Sequence, residues 1–227
     1  MRGLYGDVIE EIDWSVGQML DTLRKLQLDE DTLVIFTSHN GPWLVYDDQG
    51  GSAGMLRDGK GTTWEGGMRE PTLAWWPGKI RPGRVSMAIA STMDIFATCH
   101  ALSGIELPQD RVLDSCDLSP ILFGSGRDSG CDSGKGQREL LFYYRGYELM
   151  AVRKGPWKAH FFTQDTYGLG ARSPTAHDPP LLFNLAVDPS ERWNVAAEHA
   201  DVIAAIRKDV AAHQAKLAPV VSQLEDE

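Results

Sequence analysis

Val8, Ile9, Ile12, Val16, Met19, Leu20, Leu23 and Leu26 recur at steps of three and four. That spacing puts them on one face of an amphipathic helix. Asp29-Glu30-Asp31 then turns the chain into Leu33-Val34-Ile35-Phe36, an unbroken apolar run that predicts a central strand. Ser38-His39-Asn40-Gly41-Pro42 follows at the strand's carboxyl end, where α/β sheets collect their ligand sites. Residues 50–67 hold seven glycines and predict an irregular loop with close backbone approaches. A second short buried strand is expected over residues 72–76, ended by Pro77-Gly78. Ser91 with Asp94 has the spacing of a capping box, opening a helix through Ile95, Phe96 and Leu102 that Gly104 stops. These alternations of helix, turn and apolar strand predict an α/β fold.

The texture changes after residue 124. Residues 124–137 are rich in Gly and Ser and poor in apolar side chains, the composition of a connector. Short strand-like runs follow at 140–144, 149–153, 157–163 and 181–185, separated by turns. They predict a small antiparallel sheet. A last amphipathic helix would carry Val202, Ile203, Ile206, Val210 and Leu217 before an acidic tail. The division is therefore an α/β part over 1–123, the connector 124–137, and a sheet-plus-helix subdomain over 138–227.

Composition narrows the function. The 227 residues carry 22 Lys and Arg against 32 Asp and Glu, a formal charge of −10, with 42% hydrophobic residues. Such a balance suits a folded domain and argues against a general partner for nucleic acid or anionic membranes. No apolar run approaches the roughly 20 residues that span a bilayer, and no signal peptide is visible at Met1. Cys99, Cys116 and Cys131 have neither a metal-finger nor a redox spacing, so they leave the compartment open.

Two catalytic patterns are matched only in part. Gly50-Gly51-Ser52-Ala53-Gly54 fits the letters of a nucleophile elbow, but no strand leads into Ser52 and no helix leaves it. Gly54 to Gly61 resembles a P-loop around Lys60, yet Gly61 stands where Ser or Thr must bind magnesium. What survives is a glycine-framed lysine beside backbone amides, a setting suited to a tetrahedral oxyanion. His100, His199 and His213 fall in helical patterns and read as packing or surface residues. His160 and His177 are open to either a packing or a functional reading.

A longer combination is more specific. Thr37-Ser38-His39-Asn40-Gly41-Pro42, the run Gly59-Lys60-Gly61-Thr62-Thr63-Trp64-Glu65-Gly66-Gly67-Met68-Arg69-Glu70-Pro71, and Trp75-Trp76-Pro77-Gly78 together resemble the type I sulfatase family, of the arylsulfatase A and N-acetylgalactosamine-6-sulfatase type. The likeness continues through Asp117-Leu118-Ser119-Pro120, Lys158 to Thr163 and His177 to Phe183, nearly the whole chain outside the connector. It implies part of an alkaline-phosphatase-like α/β sandwich with a small C-terminal antiparallel subdomain. It also implies hydrolysis of sulfate esters by a formylglycine made from cysteine, with a calcium ion orienting the sulfate. On that likeness Asn40 matches a metal-ligand asparagine, Lys60 a sulfate-binding lysine, and His177 a substrate-pocket histidine.

Two departures accompany the resemblance. His39 stands where the family has a metal-binding aspartate, and calcium favours carboxylate oxygen over imidazole. The change is either neutral or a shift of metal preference. The Cys-x-Pro-Ser-Arg motif that supplies formylglycine is absent, as are the N-terminal aspartates of the metal site. The resemblance places Met1 about midway along a full-length member, so this chain reads as a C-terminal half without a nucleophile. Expected partners are a sulfate ester or sulfated glycan and the N-terminal half of the core, with homo-oligomerisation open. A lysosomal or secreted location is what the family implies. The competing expectation is a non-catalytic module that binds sulfated glycans or pairs with a complete sulfatase.

Overall fold

The computed structural model describes residues 3–124, 138–166 and 173–217. Apart from Gly124, the connector lies outside the described residues, as do Cys131 and the acidic tail. Helix α1 spans Gly3–Lys25 and ends on Arg24 and Lys25, whose cations suit the negative end of the helix dipole. Strand β1, Val34–Thr37, pairs antiparallel with β2, Thr72–Trp75, in the register Ile35 to Ala74. The Thr37 and Thr72 hydroxyls share a 2.8 Å hydrogen bond across that ladder.

Helix α2, Glu65–Met68, is a single turn at the end of the glycine-rich loop. Helix α3, Asp94–Ser103, starts on half of the capping box: Ser91 N–H donates to Asp94 Oδ2 at 2.7 Å, while Ser91 Oγ accepts from Met93 N–H at 3.3 Å rather than from Asp94. It stops at Gly104, whose φ of 66° is the left-handed C-terminal cap. A short helix α4, Ser119–Phe123, closes this part.

The second sheet is the better-built core. Strands β3 (Leu140–Arg145), β4 (Glu148–Lys154), β5 (Trp157–Thr163) and β6 (Thr175–Asn184) form an antiparallel meander in sequence order. Leu149 through Val152 are all buried because both faces of β4 are covered. On one face, Val152, Ala159 and Leu182 pack against Ile203 and Ile206 of helix α5, Ala200–Gln214. On the other, Trp64 packs on Phe183 and Leu185. Side chains alternate along a strand, so Ala159 faces α5 while Lys158 and His160 face the glycine-rich loop.

Three expectations need correction. Helix α5 ends at Gln214, so Leu217 lies beyond it. Strand β6 begins at Thr175, six residues before the apolar run that announces it. Pro179 and Pro180 mask its start, and they are tolerated because β6 is an edge strand whose ladder is interrupted between the Ala176 and Leu181 pairings. Among the described residues the strand expected to be central and buried is neither. Among the described residues β1 has β2 as its ladder partner, with Phe36 and Leu73 exposed. The apolar face of α1 is uncovered too: no residue of the helix is buried, and Leu4, Val8, Ile9, Ile12 and Met19 are all exposed.

Candidate sulfate-binding site

The site is built where the end of β1 meets the glycine-rich loop. Gly41 N–H donates to Gly67 O at 3.1 Å, and Lys60 N–H donates to Pro42 O at 2.8 Å. Contact this close requires glycine. A Cβ on Gly41 would lie 1.8 Å from Gly66 O, and one on Gly59 would lie 2.4 Å from Pro42 O. Asn40 and Lys60 are thereby held on adjacent backbone segments.

Several of the loop's amides are spent on its own folding. Gly59 N–H donates to Asp58 Oδ1, Thr62 N–H to Gly59 O, Gly66 N–H to Arg57 O and Gly67 N–H to Trp64 O. The amide cradle expected around Lys60 is therefore closed to an anion at these positions. The positive charge at this point is the Lys60 ammonium. Among the described residues no carboxylate lies within ion-pair distance of it, and its neighbour is the Trp43 ring, 5.1 Å from Nζ to the ring centre.

Lys60 is fixed from behind by the second sheet. Thr166 Oγ1 donates to Lys60 O at 2.6 Å, and Gly61 O accepts from Arg145 Nη1 at 2.7 Å and from Gln164 Nε2 at 3.1 Å. His177 on β6 shares a 2.8 Å hydrogen bond with Thr163 Oγ1, one residue before Gln164. The structure thus places His177 beside the segment that braces Lys60.

Beneath the loop lies a node of buried charge whose carboxylates the sequence pattern does not announce. Lys158 Nζ donates to Glu65 Oε1 at 2.8 Å and lies 3.4 Å from Glu191 Oε1. His160 Nε2 donates to the same Glu191 oxygen at 2.7 Å, and Glu65 N–H donates to Glu191 Oε2 at 2.6 Å. Arg57 Nη1 donates to Glu191 O at 2.8 Å while its guanidinium lies 3.7 Å from the Trp64 ring centre. Glu65, Lys158, His160 and Glu191 are all essentially inaccessible to solvent. Glu191 itself has a φ of 51°, a conformation uncommon outside glycine that the surrounding contacts hold in place. The sequence signal was Lys158 and His160 at alternate positions of an otherwise apolar strand, two polar groups aimed at the same buried face.

Electrostatics in the node follow from burial and pairing. Burial opposes the charge on Lys158, but Glu191, Tyr143 and Glu65 outweigh it and push its pKa up. Burial likewise opposes ionisation of Glu191, and Lys158 with His160 more than offsets that, holding its carboxyl below the usual range. His160 moves down to about 4, because burial and the nearby Lys158 cation outweigh its bond to Glu191. The imidazole is therefore neutral in the folded chain at a pH where it is protonated when unfolded. Between about pH 6.5 and about pH 4 the unfolded chain binds more protons, so stability falls as pH falls through that window. The loss attributable to His160 is on the order of 3 kcal/mol across it. Urea unfolding at several pH values should show this slope, and His160→Gln should flatten it.

The candidate metal residues are less complete. His39 and Asn40 lie at the end of β1, and Glu70 is beside them: burial raises the Glu70 carboxyl's pKa, against the opposing effects of Ser38 and His39. Among the described residues no three or more His, Cys, Asp or Glu side chains are grouped to hold a metal ion. Calcium wants roughly six to eight oxygen donors, and of the two residues matched to the metal site only Asn40 offers one. His39 and Asn40 by themselves supply too few oxygen donors for calcium.

The remaining candidates resolve as packing. Ser52 Oγ accepts from Gly54 N–H at 3.0 Å and is preceded by a short 3-10 segment, Leu44–Gln49, rather than a strand. His213 stacks on Phe142 at 3.8 Å, His199 packs on Trp157 and His100 on Phe96. Cys99 and Cys116 are free thiols.

Comparison with known proteins places this chain in a family. Residues 1–105 match the family described as Sulfatase, and residues 136–227 match the C-terminal region of aryl-sulfatase. The chain is 42% identical to N-acetylgalactosamine-6-sulfatase of Canis lupus familiaris over 98% of its length and 45% of that protein's. It is 44% identical to human arylsulfatase A over 91% of this chain and 42% of the relative. Steryl-sulfatase of Mus musculus is 41% identical over 99% of this chain and 39% of the relative. Among solved structures, the PsFucS1 sulfatase from Pseudoalteromonas sp. superposes with a TM-score of 0.81 at 31% identity, covering 92% of this chain and 42% of that one. The chain spans less than half the length of these relatives. Its fold is α/β of the alkaline-phosphatase-like kind seen in sulfatases, and the chain belongs to the sulfatase family.

Proposed function

We propose that this chain supplies the sulfate-holding part of a sulfatase active site, in an enzyme that hydrolyses sulfate esters. The observation that carries the reading is the Lys60 ammonium, unpaired with any carboxylate among the described residues, on a loop braced from two sides. A fixed cation at that point stabilises the charge of a bound sulfate and the charge that builds on its oxygens during ester cleavage. Asn40 is held alongside as a neutral polar group, and His177 flanks the brace. Formylglycine and calcium remain what the family resemblance implies. This chain has no cysteine in the motif that forms the nucleophile, so we assign it no turnover of its own. A lysosomal or secreted location follows from the same resemblance, and no helix among the described residues is long and apolar enough to cross a membrane.

The uncovered face of α1 and the free side of the β1–β2 pair support a second element of the proposal. Apolar surface of this extent on a helix and a strand marks a contact surface. We assign its covering to the portion of the sulfatase fold that this chain does not contain.

The test uses the purified chain, an aryl sulfate and inorganic sulfate. It is expected to bind sulfate, to lose that binding by tenfold or more in Lys60→Ala (about 1.4 kcal/mol or above), and to release no phenol. Detectable turnover would overturn the assignment of no activity. Unchanged sulfate affinity in Lys60→Ala would overturn the role of Lys60.

A further inference from the structure

Two residues past the last rung of the β1–β2 ladder stand a histidine and a glutamate. The pairings Ile35–Ala74 and Thr37–Thr72, continued by the same step, put His39 opposite Glu70. Side chains opposite one another on an antiparallel pair have Cβ atoms about 5 Å apart and share a face. The lining of one cavity of about 540 Å³ marks that face, since Ile35, Thr37, His39, Glu70, Thr72 and Ala74 all border it. Glu70 lies against Ser38 and His39. Its Oε1 is buried yet takes no hydrogen bond among the described residues. Arg69, the adjacent cation, is turned instead to Glu65 and to Met87 Sδ. His39 is exposed, so the pair can be reached from solvent.

We propose that His39 and Glu70 form a nitrogen–carboxylate site for a borderline divalent cation of the zinc type, and that this end of β1 does not select calcium. The resemblance implies calcium, and the disagreement lies in this chain's own donors. Calcium takes oxygen ligands in a large, flexible shell, and a neutral imidazole gives it neither oxygen nor charge. Zinc accepts imidazole nitrogen and carboxylate oxygen at about 2.0–2.2 Å in a compact shell, which two side chains facing each other across a strand pair can begin. A buried carboxylate oxygen without a donor is costly, and a cation held between Glu70 and His39 offsets that cost. Two side chains are an incomplete shell, so water or groups outside this chain supply the rest. The proposal does not depend on the reading of Lys60.

The test is an NMR titration of the full chain with zinc and, separately, with calcium, on the native sequence, His39→Asp, His39→Ala and Glu70→Gln. Zinc is expected to shift the signals of residues 38–40, 69 and 70, and to half-saturate them at a concentration about tenfold or more below that of calcium. His39→Ala and Glu70→Gln should each weaken zinc by about tenfold, with signals away from the strand end matching the native chain. His39→Asp should reverse the order of the two metals, because it restores a carboxylate oxygen and removes the nitrogen. Zinc shifts centred on His100, His177, His199 or His213, or zinc binding that survives both His39→Ala and Glu70→Gln, overturns the site. No response to zinc at the strand end leaves a plain His–Glu contact and overturns it equally. Calcium binding as tightly as zinc in the native chain, or the same order of metals in His39→Asp, overturns the preference.

Discussion

Glu191→Ala is expected to cost about 3–5 kcal/mol, enough to unfold a marginal chain. One carboxylate accepts from His160 Nε2 and Glu65 N–H and lies 3.4 Å from Lys158 Nζ, all three partners buried. Its removal strands part of the Lys158 charge in a region without water and leaves two donors unsatisfied. The node also joins three separate pieces of chain: the glycine-rich loop through Glu65, strand β5 through Lys158 and His160, and the turn at Glu191. Losing it should therefore loosen the Lys60 loop as well as lower stability. Urea unfolding reads the first effect, and sulfate affinity at a fixed low urea concentration reads the second. A companion variant guards against trivial unfolding. Lys158→Met with Glu191→Leu removes both charges together, and Glu65 keeps Arg69 and Arg153 at 3.8 Å. The pair should be less destabilised than the two single changes summed, by about 1–3 kcal/mol. A Glu191→Ala cost below about 1 kcal/mol would contradict the node's role.

Gly41→Ala should carry the next largest effect, about 1–3 kcal/mol with a matching fall in sulfate affinity. The added methyl would sit 1.8 Å from Gly66 O and 3.0 Å from Gly67 Cα, both backbone atoms that cannot rotate away. Relief requires moving the end of β1 off the loop, which breaks the Gly41–Gly67 and Lys60–Pro42 hydrogen bonds together. Gly17→Ala supplies the contrast. That glycine lies in α1, where an added methyl would meet nothing within 4 Å, so alanine there should stabilise by roughly 0.5–1 kcal/mol. The same substitution thus has opposite signs at two positions, and denaturant unfolding measures both. Equal effects at the two glycines would contradict the close approach.

The three longer helices and most strands could be read directly because their causes are local. The three-and-four spacing through α1, the Ser91–Asp94 box and Gly104 of α3, and the apolar runs of β3 to β5 each act within a few residues. Burial was less legible, because it depends on what lies across the face. The run at β1 looks central by composition, yet Phe36 is 42% exposed since this chain offers that side no partner among its described residues. Lys60 was legible through its glycine frame, but not the fate of the amides around it. Those of Lys60, Gly66 and Gly59 are committed to the carbonyls of Pro42 and Arg57 and to the Asp58 side chain. Glu65 and Glu191 were not legible at all, being 126 residues apart and joined only when the loop docks on the second sheet.

The proposed function of this chain depends on the Lys60 loop, braced by the second sheet, being an anion site. That is tested by following the backbone amides of the whole chain by NMR as inorganic sulfate is added. Shifts should concentrate at residues 59–63 and at the bracing Gln164 and Thr166, and should be lost together in Lys60→Ala. Shifts centred elsewhere, or an unchanged pattern in Lys60→Ala, would contradict it.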